Sequence, residues 1–170
     1  MLESDSVTKI EIDLADEKAT LALGAALARD RERLRGAVIY LSGDLGAGKT
    51  TLTRGLLRAL GFEGRVKSPT YTLLELYVIS KLNLYHFDFY RFSDPEEWQE
   101  AGCRDLFNPA NTCLVEWPEK ARELLPLPDL QITLNFVLET IPESSRMAVL
   151  KAQTPRGMAL LGQLLNLLPH

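Results

Sequence analysis

The sequence is poor in features that would place it outside the ordinary globular class. It has only two cysteines, Cys103 and Cys113, and their spacing fits neither a zinc site nor a redox pair. It has no apolar run of transmembrane length, and Glu3 and Asp5 stand where a signal peptide would be basic. It has no excess of positive charge, since the net charge is −4, which argues against a broad nucleic-acid-binding face. These absences predict a cytoplasmic protein whose cysteines are reduced.

Length and composition indicate one domain that covers residues 1–170. A chain of 170 residues that is 46% hydrophobic and 25% charged can bury a full core. No internal repeat and no low-complexity linker divides it. We therefore expect a single domain.

A glycine-rich stretch at 43–50 matches the phosphate-binding P-loop pattern G-x-x-x-x-G-K-[ST]. The apolar run 37–41 before it predicts a buried strand, and leucines at helical spacing over 50–60 predict a helix after it. The glycines let backbone N–H groups converge, and the helix N-terminus adds positive charge. Lys49 is expected to reach the β- and γ-phosphates, and the Thr50 hydroxyl to bind Mg²⁺. The predicted phosphate-binding set is Asp44, Leu45, Gly46, Ala47, Gly48, Lys49, Thr50 and Thr51.

An apolar strand predicted over 112–117 ends in an acid, Glu116. In P-loop proteins such a strand places a carboxylate beside the Mg²⁺ that the loop holds. Carboxylate oxygen is a hard ligand that suits Mg²⁺. A glutamate could also reach the attacking water as a base.

A second acid, Asp88, lies between two aromatic residues in another predicted strand. This position is unfavourable for core packing, so Asp88 needs a partner or a chemical role. The alternatives are a catalytic or Mg²⁺-linked role and a structural salt bridge to Arg91 or Lys67. His86 shares the face of Asp88 and is interpreted as structural.

The remaining patterns predict an α/β fold in three layers. A mostly parallel sheet around the P-loop strand carries an antiparallel hairpin toward one edge, and helices cover both faces. The ligand should lie outside the C-terminal ends of the strands. Strands are expected at 8–12, 70–79, 82–92 and 130–137, with an edge strand at 147–151; helices are expected from Asp13 or Asp16 and over 93–101, 119–125 and 157–168.

Two further segments are expected near the nucleotide. The hydroxyl-rich turn at 68–72 follows the P-loop helix, where nucleotide switches often sense the γ-phosphate. A plain loop entering a strand is an equal alternative. The segment 14–20 is a weaker candidate for the base pocket, with Glu17 its named residue.

Four motifs together resemble one known family, the bacterial TsaE (YjeE) ATPases. They are the stretches 43–51, 67–73, 85–91 and 114–118, which stand in the family's order and spacing. The similarity runs from about Leu14 to Leu134. The first motif is shared by many unrelated NTPases, whereas the other three together are highly specific.

The resemblance implies an ATPase that binds Mg-ATP and is needed for the threonylcarbamoyladenosine (t6A) modification of tRNA. It implies a partner, the TsaD–TsaB complex, which ATP hydrolysis resets between turnovers, and contact with tRNA only through that complex. By matching motif, Lys49 and the loop amides hold phosphates, and Thr50 and Glu116 hold Mg²⁺. Asp88 is a functional acid near the γ-phosphate, so the catalytic set is Glu116, Asp88 and Lys49.

Two other functions remain as alternatives. A small-molecule P-loop kinase would need an acceptor pocket and usually an arginine-bearing lid, but Arg91 and Arg104 are the only mid-chain candidates. A GTPase switch would need the N-K-x-D motif that reads guanine, which the sequence lacks. The missing guanine motif favours ATP.

Overall fold

The computed structural model describes residues 8–137 and 145–167, and these form one sheet with helices on both faces. The strands are β1 (Lys9–Leu14), β2 (Val38–Ser42), β3 (Leu74–Ile79), β4 (Leu82–Asp88), β5 (Asn111–Glu116), β6 (Leu130–Phe136) and β7 (Arg146–Ala152). The helices are α1 (Glu17–Leu27), α2 (Arg31–Leu34), α3 (Lys49–Ala59), α4 (Pro95–Glu100) and α5 (Pro155–Leu167). Across the described ranges, no helix is long and apolar enough to cross a membrane.

The sheet has the strand order β1-β7-β6-β2-β5-β4-β3. Its centre is parallel, because β2 pairs in parallel with β5 and β6, and β4 pairs in parallel with β5. The antiparallel hairpin of β3 and β4 turns at Ser80 and Lys81, as predicted. A second antiparallel region, β6-β7-β1, lies at the opposite edge and was not foreseen. The predicted fold class is confirmed.

The predicted edge position of strand 147–151 is wrong. This strand is β7, and it pairs with β6 on one side and β1 on the other. Ala148 and Leu150 are fully buried on it. The edge belongs instead to β1, whose Lys9 and Glu11 are exposed and suit a strand that faces water.

Alternating side chains supply both faces of the sheet with apolar contacts. On β2, Ile39 and Leu41 join the larger core under the long helices, whereas Tyr40 joins a smaller aromatic cluster on the other face. Trp98 of α4 packs there with ring centres 5.9 Å from Phe87 and 5.5 Å from Phe89. Trp98 therefore packs on this face of the sheet.

Helices α1 and α3 pack at very short distance through glycines. A Cβ atom at Gly24 would lie 2.0 Å from the Leu52 carbonyl oxygen, and one at Gly55 would lie 2.2 Å from that of Leu21. Only glycine at these two positions permits this approach of α1 to α3. Because α3 begins at Lys49, this contact fixes the helix that carries the P-loop.

Two predicted strands are shorter than expected. Residues 70–73 form a turn, in which the Leu73 N–H donates to the Pro69 carbonyl at 2.9 Å. Leu73 has a φ of 69°, a value that an extended strand does not tolerate. The strand predicted over 82–92 ends at Asp88, and the Phe92 N–H then closes a turn onto the Phe89 carbonyl.

The predicted helix over 119–125 is wrong as well. Two 3₁₀ turns, Pro118–Lys120 and Arg122–Leu124, cover it, and Ala121 separates them with a φ of −134°. Leu125 is extended, with a ψ of 146°, as expected for the residue before Pro126, so a helix cannot continue through residue 125. The last helix begins at Pro155 rather than Gly157, and Leu168 of its predicted range lies outside the described residues.

Candidate active site

A cavity of about 550 Å³ opens at the C-terminal ends of β2, β4 and β5. Its position is the one predicted for the ligand. The parallel strands bring the P-loop and both candidate acids to this edge. The lining residues are Leu45, Gly46, Ala47, Gly48, Lys49, Thr50, Thr51, Ser68, Thr70, Tyr71, Asp88, Tyr90, Arg91, Glu116 and Trp117.

The P-loop has the backbone that a phosphate cradle requires. Gly46 and Gly48 have φ values of +78° and +110°, where L side chains are strained. Gly48 directly precedes α3, so backbone N–H groups and the positive end of the helix face the cavity together. These features fit the phosphates of a nucleotide, and Thr50 offers a hydroxyl oxygen suited to Mg²⁺.

The Lys49 side chain lies against the backbone of the P-loop and is only 6% exposed. Its Nζ donates to the backbone carbonyls of Gly43 and Asp44, the latter at 3.1 Å. The same atom lies 4.4 Å from the centre of the Trp117 ring. Burial lowers the pKa of Lys49, and the nearby carboxylates, Glu116 foremost, act in the opposite direction. Such a partly desolvated cation attracts a phosphate oxygen more strongly than an exposed one.

Asp88 and Glu116 are both buried, at 3% and 2% exposure. They lie opposite each other in β4 and β5, and the Ser68 hydroxyl lies within hydrogen-bond distance of both. Ser68 Oγ is 2.9 Å from Glu116 Oε2. The loop that was predicted as a sensor thus reaches both acids through one hydroxyl.

Hydroxyl and amide donors, rather than a cation, satisfy Asp88. Thr70 Oγ1 donates to its Oδ2 at 3.0 Å, and the Tyr90 N–H donates to its Oδ1 at 2.9 Å. Neither Arg91 nor Lys67 forms a salt bridge with Asp88. The salt-bridge alternative is therefore not observed, and the hydrogen-bond partners of Asp88 come from the 68–72 loop and the turn after β4.

Two exposed apolar side chains stand at the rim of the cavity. Leu45 is 63% exposed and Tyr71 is 83% exposed. The Arg91 guanidinium lies 4.5 Å from the centre of the Tyr71 ring, and its NH2 donates to the Tyr71 hydroxyl at 3.2 Å. The rim therefore combines apolar surface with a cation held over an aromatic ring.

A smaller cavity of about 250 Å³ lies on the other side of the P-loop. Glu17 and Thr20 of α1 and Arg146 of β7 line it with the loop glycines. The structure thus brings Glu17 beside the P-loop, 3.9 Å from Arg54 NH1. Its contact with a nucleotide base stays a prediction.

Some lining residues were not foreseen from sequence. Trp117 has a φ of 54°, rare for a bulky residue, and this turn lays its ring against Lys49. Its place in the motif at 114–118 was the sequence signal, but the residue before a proline is usually extended, so the conformation of Trp117 could not be foreseen. Arg146 carries no such signal because it reaches the P-loop from the far end of the chain.

The fold and the loop define the class of protein. A P-loop between a parallel strand and a helix, with acids at the ends of neighbouring parallel strands, is the arrangement of P-loop NTPases. The family model described as "Threonylcarbamoyl adenosine biosynthesis protein TsaE" matches residues 14–145. The chain belongs to the TsaE family.

Named relatives and a solved structure agree with this assignment. The tRNA threonylcarbamoyladenosine biosynthesis protein TsaE of Haemophilus influenzae is 42% identical over 156 residues, covering 90% of this chain and 96% of that protein. The protein of the same name from Bacillus subtilis is 42% identical over 120 residues, or 71% and 72% of the two chains. The crystal structure of Bacillus subtilis YdiB superposes with a TM-score of 0.73 at 28% identity, covering 96% and 98%.

Proposed function

We propose that this protein hydrolyses Mg-ATP as a component of tRNA threonylcarbamoyladenosine biosynthesis and acts with the TsaD–TsaB complex. The observation that carries the proposal is the gathering of Lys49, Asp88 and Glu116 around one cavity with the P-loop. The names of its relatives support the place in t6A biosynthesis.

The side chains around the cavity divide the chemistry between them. Lys49 and the loop amides neutralise the phosphate oxygens on which negative charge develops. Thr50 and Glu116 provide the hard oxygen ligands that would hold Mg²⁺, whose charge adds to that neutralisation when it is bound. Asp88 and Glu116 are the groups that can orient the attacking water and take up its proton.

The rim of the cavity supports a role in driving a partner rather than modifying a metabolite. Leu45 and Tyr71 expose apolar surface beside the nucleotide position, where a protein partner can cover it. Arg104, one of two arginines considered for a kinase lid, lines a separate cleft beside Trp98. Of these two arginines, only Arg91 lines the P-loop cavity, and its guanidinium lies over the Tyr71 ring.

The test is hydrolysis of ATP by the purified chain, alone and with a purified TsaD–TsaB pair. We expect slow Mg²⁺-dependent turnover alone and faster turnover with the pair. We also expect the pair to be recovered with the chain in a pull-down in an ATP-dependent manner. Turnover that appears only when a small-molecule acceptor is added, with no TsaD–TsaB recovered, would instead favour the kinase.

A further inference from the structure

His86 is a completely buried imidazole that forms a hydrogen bond with Glu116 of the site. Its Nε2 lies 2.7 Å from Glu116 Oε2, and the side chain has 0% exposure. Within residues 8–137 and 145–167, its Nδ1 is buried and has no hydrogen-bond partner. One ring nitrogen therefore forms a hydrogen bond with Glu116, and the other forms none within these residues.

Core packing alone gives no reason for an imidazole at this position. Leu82 and Leu84 precede His86 on the same face of β4, and Leu114 is its register partner on β5. An apolar side chain would fill this place without burying an unpaired nitrogen, which costs free energy. The contact with Glu116 is what distinguishes histidine from leucine here.

We propose that His86 is a positioning residue that orients the Glu116 carboxylate for ATP hydrolysis, which makes this inference rest on the proposed function. A carboxylate accepts hydrogen bonds, so the imidazole donates through Nε2–H. Both this bond and the approach of Ser68 at 2.9 Å fall on Oε2. Among the described residues, Oε1 accepts no hydrogen bond, so it is the oxygen available to a water or Mg²⁺ that binds in the cavity.

The two donors to Oε2 differ in how firmly they are held. Ser68 belongs to the loop between α3 and β3, whereas His86 lies within a strand that is paired on both sides. In this register Asp88 lies opposite Glu116, and His86 lies two residues before Asp88 on the same face of β4. The imidazole therefore approaches the carboxylate from the interior of the sheet and stays in place if the Ser68 loop moves.

A matched pair of amide substitutions tests this role. In His86→Gln the amide nitrogen can stand near the position of Nε2, whereas in His86→Asn it can stand only near Nδ1, out of reach of Glu116. With His86→Phe, which has a ring but no donor, these variants separate the hydrogen bond from polarity and volume. We expect Asn and Phe to lower kcat by about 10–100-fold with KM for ATP nearly unchanged, and Gln to stay within about threefold of the parent chain.

A second measurement needs no substitution at His86. The sequence has only two histidines, so ¹⁵N-histidine labelling gives an assignable ring spectrum. We expect a buried imidazole protonated on Nε2, with a shifted resonance in Glu116→Gln. A ring protonated on Nδ1 alone would overturn the inference even if every His86 variant failed to fold.

The outcomes separate the two proposals. If the parent chain binds ATP but never hydrolyses it, alone or with TsaD–TsaB, the proposed function fails. If the parent chain hydrolyses ATP and folded Asn or Phe variants do so at the same rate, only the role of His86 fails. The role also fails if Gln is no better than Asn, or if all variants merely lose melting temperature with no change in kcat.

Discussion

Asp88 and Glu116 are register partners in two adjacent parallel strands, and one hydroxyl, that of Ser68, approaches both carboxylates. A hydroxyl carries a single proton, so it donates to one acid at a time. The two acids also differ in their other partners: Asp88 accepts from the Tyr90 amide, and Glu116 accepts from His86. Variants of each acid should therefore give distinguishable results.

Replacing Glu116 with alanine should abolish hydrolysis while nucleotide binding persists. Backbone carbonyls of Gly43 and Asp44 hold the Lys49 ammonium, so the phosphate cradle remains without Glu116, whereas the Mg²⁺ and water positions depend on this carboxylate. We expect kcat to fall on the order of 100-fold or more. Binding is measured with a fluorescent ATP analogue and turnover by phosphate release.

The control for Glu116→Ala is Glu119→Ala. Glu119 is exposed and acts electrostatically on Lys49, yet it lies outside the lining of the cavity. The Glu119→Ala variant should hydrolyse ATP at nearly the rate of the parent chain. Loss of binding in Glu116→Ala, with unchanged turnover per bound nucleotide, would show that Glu116 is structural.

Asp88→Asn should impair hydrolysis without unfolding the chain. The asparagine oxygen can still accept from the Tyr90 N–H, so the turn after β4 is kept. Its amide nitrogen cannot accept from Thr70 and carries no charge, so the site loses an anion. Turnover and melting temperature are measured on the same preparation. A large drop in melting temperature with normal turnover in the remaining folded protein would contradict the functional role.

Lys49→Ala should abolish hydrolysis and weaken nucleotide binding, because the phosphates lose the buried cation of the cavity. We expect a loss of turnover on the order of 100-fold or more. Lys151→Ala removes the same charge from an exposed position on β7 and should leave turnover unchanged. Normal turnover in Lys49→Ala would refute the assignment of the P-loop.

Much of the site could be predicted because its parts are short and contiguous. A phosphate cradle needs glycines and a lysine within one turn, and a carboxylate at a strand end needs only an apolar run before it. Short local patterns are therefore enough to identify Gly48, Lys49 and Glu116. The parallel centre of the sheet follows from the same reasoning, because the P-loop strand and the acid-bearing strand must end at one edge.

The remaining features depend on pairing between distant segments. The bond between His86 and Glu116 arises from the register of β4 on β5, which no local pattern encodes. The insertion of β7 between β1 and β6 likewise joins opposite ends of the chain. Period-two alternation shows that residues 146–152 form a strand, but it does not show which neighbours the strand has.

Gly24→Ala should destabilise the fold. The added Cβ would lie 2.0 Å from a backbone carbonyl of α3, so the two helices must separate. We expect a loss of about 1–3 kcal/mol in the free energy of unfolding. Gly162→Ala is the control, since among the described residues no heavy atom beyond its chain neighbours and its own helix backbone lies within 4 Å of the added Cβ in α5. It should stabilise the chain by about 0.5–1 kcal/mol through helix propensity. Equal urea midpoints for the two variants would contradict the close packing of α1 on α3.

Alkaline pH should lower stability through the buried thiol of Cys113. Burial raises the pKa of Cys113 from 9.0 to about 12. Below the lower value the thiol is protonated in both states and contributes nothing to the pH dependence. Between the two values the unfolded chain loses this proton and the folded chain keeps it, so the free energy of unfolding falls by up to about 1.4 kcal/mol per pH unit.

Urea unfolding at about pH 8 and about pH 10 measures this slope, and Cys113→Ala isolates its source. The substitution leaves a small void and lowers stability at both pH values. The informative quantity is therefore the difference between the two pH values within each protein. We expect the variant to lose less stability than the parent chain between them, by about 1 kcal/mol. Burial also raises the pKa of Tyr40 to about 12, so some slope must remain in the variant at higher pH. Cys113 is completely buried in the aromatic cluster, which is why its thiolate is disfavoured in the folded chain. Identical pH slopes in the two proteins would contradict this prediction, because they would mean that the thiol ionises equally readily in the folded and unfolded chains.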